Sequence, residues 1–131
     1  SYLFKTANKD NTIIFYNEAE KVKILEFKKK KIEIIKSKID KKKRFDIKNI
    51  LKKLYKLECR NILVEGGNEL TNNFLNKKIF NLFYLFKSPK NLSKLKEFKE
   101  FNGLNILKHN YTNTETINSS LGKDTIILYK K

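Results

Sequence analysis

The tripeptide Glu65-Gly66-Gly67 is the part of the sequence best suited to chemistry. It follows an apolar run and precedes a segment with helical spacing, so the glycines fall between a predicted strand and a predicted helix. Glycine lets the backbone approach a ligand closely, and the amides at a helix start attract an anion. The arrangement predicts a phosphate site at Gly66 and Gly67, although a glycine pair alone also marks an ordinary tight turn.

Other catalytic and ligand motifs are missing from the sequence. The third glycine of the dinucleotide fingerprint and the Gly-Lys-Ser/Thr ending of the Walker A loop are absent. Cys59 is the single cysteine, so it forms no intramolecular disulfide, and we expect it to be reduced and buried. His109 is the single histidine and lies among Lys and Asn residues, so we expect it to be exposed rather than catalytic. No metal site is predicted.

The formal net charge of +16 permits an alternative function, that of a small basic nucleic-acid-binding module. Nearly all of this charge is lysine spread along the chain, whereas nucleic-acid sites favour arginine, present here as Arg44 and Arg60. We therefore interpret the lysine content as codon bias and expect no specific nucleic-acid partner. The runs Lys28–Lys31 and Lys41–Lys43 are predicted to be solvated. A cluster of lysines and exposed aromatics on one face would favour the alternative.

The length of 131 residues suits one domain with a modest core. No apolar stretch is long enough to cross a bilayer, and no signal segment opens the chain. We expect one domain over residues 1–131, in the cytoplasm and without a membrane partner.

The pattern of elements predicts an α/β fold, a mixed sheet flanked by helices. Asn17 is the expected N-cap of a helix with Val22 and Leu25 on one face, and Asp46 is the expected N-cap of a strongly amphipathic helix. A third helix is predicted over Asn68–Lys77. The predicted strands are Thr12–Tyr16, Lys31–Ile35, Asn61–Glu65, Ile79–Phe86, Gly103–Leu107 and Thr125–Tyr129.

The strand at Asn61–Glu65 is expected to be covered on both faces, as in the centre of a sheet. The stretch Lys94–Phe101 is compatible with helix or loop, and Asn110–Ser120 is predicted to be a long polar connection.

Residues Asp46 to Asn91 resemble the reductase domain of the bacterial riboflavin deaminase-reductases. The motifs that carry this resemblance are the helix from Asp46 to Leu57, Asn61-Ile62-Leu63-Val64-Glu65-Gly66-Gly67, Phe74-Leu75 and Ser88-Pro89-Lys90, with Leu121-Gly122-Lys123-Asp124 as a looser match. The resemblance implies a dihydrofolate-reductase-like fold. It also implies that NADPH reduces a pyrimidine ribosyl-phosphate, 5-amino-6-(5-phosphoribosylamino)uracil, to its ribitylamino form by hydride transfer to the open-chain sugar carbon.

The same resemblance assigns roles to individual residues. Gly66 and Gly67 would hold the cofactor phosphates, with the amides of Asn68, Glu69 and Leu70 completing the anion site. Glu65 would approach the substrate. The alternative for Glu65 is a strand-end carboxylate bonded to nearby backbone amides.

Two departures from the family pattern matter. Asn81 stands where the family has an aspartate, which removes a charge. The family's opening strand, first helix and further substrate-binding residues normally precede the matched region, so we expect Ser1 to be a fragment boundary and the fragment to be inactive alone. A missing strand would leave open sheet edges, which predicts a homodimer. A purely structural or dimerising fragment is the third alternative.

Overall fold

The computed structural model describes residues 2–89, 101–118 and 122–131. The chain divides into two compact units, Ser1–Ile62 and Leu63–Lys131. Parallel and antiparallel strand pairs occur together with helices, which confirms the predicted α/β class. That residues 1–131 form one domain stays a prediction. None of the helices in the described ranges is long and apolar enough to cross a membrane.

The first unit contains a strand-helix-strand arrangement that brings its two strands together in parallel. Ile14 pairs with Ile34, and Phe15 pairs with Ile35. Both strands form where β-branched and aromatic residues predict them. The elements are α1 (Tyr2–Thr6), β1 (Ile13–Tyr16), α2 (Lys21–Lys29), β2 (Glu33–Lys36) and α3 (Ile47–Lys56).

The start of α2 differs from the prediction. Glu20 precedes the first turn, and its side chain makes no capping hydrogen bond. Asn17 instead donates from Nδ2 to the carbonyl of Ser37, 3.1 Å away, and so ties the end of β1 to the end of β2. Val22 and Leu25, which the sequence places on one face of this helix, are both exposed. The apolar stripe of α2 is too sparse to require a covering element.

Helix α3 begins where the sequence predicts. The carboxylate of Asp46 accepts hydrogen bonds from the amides of Lys48 at 3.1 Å and Asn49 at 3.4 Å. These bonds satisfy two of the amides that a helix start leaves without an intrahelical acceptor. Lys53 donates from Nζ to the carbonyl of Lys36 at 2.7 Å and to the hydroxyl of Ser37 at 2.9 Å. Lys53 therefore fixes α3 to the end of β2.

The second unit contains α4 (Asn68–Lys77), β3 (Leu82–Lys87), α5 (Leu104–Asn110), β4 (Thr114–Ile117) and β5 (Thr125–Lys130). Its sheet is antiparallel, in the order β3-β5-β4. The predicted strands near β3 and β5 are confirmed. Residues 104–110 are helical, so the strand predicted at Gly103–Leu107 was wrong, and β4 occupies part of the predicted polar connection. Apart from Phe101, the stretch 94–101 lies outside the described residues.

The core of the second unit holds α4 in place. Leu75 and Leu107 are fully buried, and they cluster with the buried side chains of Tyr111 and Tyr129. The ring of Phe80 lies 4.7 Å from that of Tyr111, measured between centroids. Because Leu75 lies in the last turns of α4, its burial anchors the helix that begins directly after the glycine pair.

The segment Asn61–Glu65 is not a strand, so its prediction as a doubly covered strand was wrong. Ile62, Leu63 and Val64 are 43%, 81% and 38% exposed. None of the described strands pairs with this segment. The apolar composition is suited to a strand, but a strand also needs a neighbour to which it can hydrogen-bond.

Candidate functional site

The glycine pair leads directly into the N-terminus of α4. Gly67 is the N-cap, with φ −70° and ψ 175°, and as a glycine it makes no side-chain capping hydrogen bond. Intrahelical bonding begins with the amide of Thr71, which donates to the carbonyl of Gly67 at 3.1 Å. Helix geometry therefore gives the amides of Glu69 and Leu70 no acceptor within α4. These amides are suited to an anion at the positive end of the helix.

The two glycines differ in their surroundings. A β-carbon at Gly66 would lie 2.6 Å from Cδ2 of Leu70, so the Leu70 side chain packs directly on the backbone of Gly66. A β-carbon at Gly67 would meet no atom of the described residues within 4 Å. Internal packing thus accounts for Gly66, whereas the open side of Gly67 is the place where a ligand can approach the backbone.

Glu65 is exposed at the start of this site. Among the residues that the structure describes, its carboxylate has no hydrogen bond or ion pair. The alternative of a carboxylate bonded to nearby backbone amides was therefore wrong. Both carboxylate oxygens are available to accept hydrogen bonds from a ligand.

The charges around the glycine pair limit how a phosphate could bind. Glu65 precedes the pair, and Glu69 lies in the first turn of α4, where a carboxylate stabilises the helix terminus. Two negative side chains disfavour an anion, so phosphate binding here must come from backbone amides. These donors fit a phosphate group, and the neighbouring side chains do not add attraction.

Three other residues were singled out from the sequence: Asn81, Cys59 and His109. The backbone carbonyl of Asn81 accepts a hydrogen bond from the amide of Lys131 at 3.1 Å. Cys59 is half-buried, so the prediction that it is buried was wrong. His109 is exposed, as predicted, with Nδ1 2.7 Å from the carbonyl of Asn105. No group of three side chains suited to a metal ion occurs within the described ranges.

Helix α3 carries a surface feature that was not predicted from the sequence. Lys48, Lys52 and Lys56 recur at every fourth position on its exposed side, next to the exposed ring of Tyr55. The signal was present in the sequence as lysines at i, i+4 and i+8 of the predicted helix.

Residues 2–123 match the sequence model of the RibD C-terminal domain. The chain belongs to this family. It is 27% identical over 129 residues to the riboflavin biosynthesis protein RibD of Aquifex aeolicus (strain VF5). The aligned region covers 98% of this chain and 34% of that protein, so the chain spans about a third of the length of this relative. Membership of the RibD C-terminal domain family confirms the resemblance that the glycine pair and its flanking segments indicated.

Proposed function

We propose that the chain is part of an NADPH-dependent oxidoreductase of riboflavin biosynthesis. The proposed reaction reduces 5-amino-6-(5-phosphoribosylamino)uracil to its ribitylamino form. The observation that carries this proposal is the match of residues 2–123 to the RibD C-terminal domain family. The start of α4 supports it, because helix geometry gives the amides of Glu69 and Leu70 no acceptor within α4, so they can donate to a cofactor phosphate.

Gly66 and Gly67 would hold the cofactor phosphates, together with the first-turn amides of Asn68, Glu69 and Leu70. When bound, NADPH would supply the hydride that reduces the open-chain sugar carbon. The open side of Gly67 admits the phosphate to the backbone, and Leu70, packed on Gly66, fixes the direction in which α4 leaves the glycine pair.

Glu65 would bind the substrate. Its exposed carboxylate can accept hydrogen bonds from ribose hydroxyls and so orient the sugar carbon toward the cofactor. A negative charge next to the glycine pair also disfavours a second phosphate at this position. We assign no residue of this chain a catalytic role.

We propose a single domain, a homodimer and a cytoplasmic location, with no specific nucleic acid among the partners of the reductase itself. Both outer strands of the described sheet, β3 and β4, pair on one side only, which supports association through an edge.

The test is an assay of NADPH oxidation with the phosphoribosylamino substrate. A longer protein that contains this chain is expected to turn over the substrate with NADPH, and the product is expected to carry the ribityl chain. The 131-residue chain assayed beside it is expected to be inactive. No turnover by the longer protein with NADPH or NADH would contradict the proposed reaction.

A further inference from the structure

The exposed side of α3 carries a row of positive charge. Lys48, Lys52 and Lys56 are all exposed, and a shallow groove runs along their side chains. Residues four apart on an α-helix are separated by about 6 Å along the axis and about 40° around it, so the three lysines form one stripe. The buried Ile47 and the half-buried Leu51 and Leu54 lie on other sides of the helix.

No ion pair within the described residues neutralises the charge of this stripe. Among the described residues, the ion pairs are Lys23–Glu20, Arg44–Asp40 and Lys130–Glu115, so none involves the stripe. Asp46, at one end of the groove, uses its carboxylate to cap the helix. Lys53 is distinct from the stripe because its ammonium group is bonded to β2 and to Ser37.

An aromatic side chain lies at the edge of the stripe. Tyr55 is 63% exposed, and helix geometry places it about 20° around the axis from Lys48. The guanidinium carbon of Arg60 lies 4.3 Å from the centroid of the Tyr55 ring, a cation-π arrangement. Tyrosine rings and arginine planes are both surfaces on which an unstacked base can lie.

We infer that this surface, the α3 basic face (Lys48, Lys52, Tyr55, Lys56 and Arg60), binds single-stranded nucleic acid. The lysines contact successive phosphates, and a base stacks on Tyr55 or on the guanidinium of Arg60. A duplex offers the same phosphates but keeps its base faces covered, so it binds more weakly. Lysine contacts to phosphates carry no sequence information, and the binding is therefore independent of sequence.

The arrangement of Lys48, Lys52 and Lys56, not the number of lysines in the chain, supports nucleic-acid binding at this face. Codon bias accounts for a high lysine content, but it does not account for three unpaired lysines in one row next to an exposed aromatic ring. A matched variant can separate the two explanations. Lys21, Lys28 and Lys29 are also exposed on a helix of the first unit, and they form no ion pair within the described residues.

The experiment measures binding of the 131-residue chain to a fluorescent oligothymidylate by anisotropy at several salt concentrations. The triple variant Lys48→Gln/Lys52→Gln/Lys56→Gln is expected to bind at least about tenfold more weakly than the wild type. Its plot of log K against log salt is expected to be shallower by about 2, from about 0.7 per phosphate contact. The control variant Lys21→Gln/Lys28→Gln/Lys29→Gln removes equal charge and is expected to bind like the wild type within about twofold.

One further variant tests whether a base stacks on Tyr55, and another tests whether the glutamine triple variant loses binding through misfolding. Tyr55→Leu is expected to weaken single-strand binding about tenfold and to leave duplex binding unchanged, whereas the control Tyr84→Leu changes neither. The triple variant Lys48→Arg/Lys52→Arg/Lys56→Arg keeps the charge and is expected to retain binding. Equal weakening by the two glutamine triples, or a wild type that binds duplex as tightly as single strand, would overturn the inference.

Discussion

The side chain of Leu70 packs against the backbone of Gly66, so closely that a β-carbon at Gly66 would lie 2.6 Å from Cδ2 of Leu70. The same β-carbon would lie 3.1 Å from Cβ and 3.2 Å from Cγ of Leu70, so rotation of the leucine end alone does not relieve the contact. Gly67, the next residue, has no such neighbour. Adjacent glycines therefore serve different purposes, the first in packing and the second at the open surface.

Gly66→Ala is expected to lower the free energy of unfolding by about 2 kcal/mol, because the added methyl group overpacks the start of α4. Gly67→Ala is expected to cost less than about 1 kcal/mol, since alanine is only a poorer N-cap. Denaturant unfolding of the two variants measures the difference. Equal losses at the two positions would contradict the separate roles assigned to these glycines.

Gly67→Val is expected to weaken NADPH binding by at least about tenfold, equivalent to about 1.4 kcal/mol. The branched side chain fills the open space through which a phosphate reaches the backbone. Gly66→Val is the less informative variant, because its clash with Leu70 would disturb the helix itself. Cofactor fluorescence titration of a longer protein that contains the chain measures the affinity.

The matched control for this titration is Lys77→Val, which places the same side chain at the exposed far end of α4. It is expected to leave the NADPH affinity unchanged. If a folded Gly67→Val variant binds NADPH with wild-type affinity, the glycine pair is not part of the cofactor site.

Glu65→Gln is expected to raise the KM for the pyrimidine substrate about tenfold while leaving the dissociation constant of NADPH unchanged. The negative charge of the Glu65 carboxylate strengthens the hydrogen bonds that it accepts from ribose hydroxyls, and the neutral glutamine amide lacks this charge. Steady-state kinetics with each substrate varied in turn separates the two effects. Glu69→Gln, four residues further on, is the control for loss of a nearby charge, and a KM effect as large in that variant would count against a specific role for Glu65.

The sequence predicts those elements whose signals are local. Asp46 caps α3 because its carboxylate bonds amides two and three residues away, which the sequence spacing alone specifies. The strands β1 and β5 likewise form within runs of β-branched and aromatic residues. For the same reason Gly66 and Gly67 were placed correctly before the helix Asn68–Lys77, although Glu65 was wrongly assigned to the preceding strand.

The failures come from properties that depend on distant parts of the chain. Leu104, Leu107 and Tyr111 have the i, i+3, i+7 spacing of a helix, and the core buries the last two, but the short run from Gly103 to Leu107 suits a strand equally well. Asn61–Glu65 has the composition of a strand, but none of the described strands pairs with it. The separate roles of Gly66 and Gly67 follow from the position of Leu70, which a sequence pattern does not give.

Asp40 is expected to titrate below its ordinary range. The amide of Arg44 donates to the Asp40 carboxylate at 2.9 Å and is the main cause that lowers its pKa, with further contributions from the Arg44 guanidinium and the amide of Lys42. Because the folded-state pKa is the lower one, the turn is stabilised above the unfolded-state pKa. This stabilisation is lost as the pH falls through the folded-state pKa.

Carbon NMR titration of the Asp40 carboxyl group measures this pKa directly. Arg44→Lys removes the planar guanidinium but keeps the backbone amide, so the pKa is expected to rise only part of the way to its ordinary value. A wild-type midpoint at or above the ordinary value would show that the turn from Asp40 to Arg44 does not hold in solution.

We expect the chain to self-associate through β3. On this strand Leu82, Tyr84 and Phe86 are 51%, 47% and 63% exposed, and they alternate along one face. In the described sheet β3 pairs with β5 on one side only, so its other edge is open to a second copy. We expect a concentration-dependent dimer of the chain, the commonest symmetric outcome.

The double variant Tyr84→Lys/Phe86→Lys is expected to weaken this dimer by at least about tenfold, because lysines on an edge strand oppose pairing with another chain. Val22→Lys/Leu25→Lys makes the same chemical change at two exposed apolar positions of α2 and is expected to leave the dimer intact. Size-exclusion chromatography with light scattering over a range of concentrations measures the average mass of each protein. A wild-type chain that stays monomeric at every concentration would rule out association through β3. Equal dissociation of both variants would instead attribute the loss of the dimer to added repulsion between two highly positive chains, since each double variant raises an already large net charge.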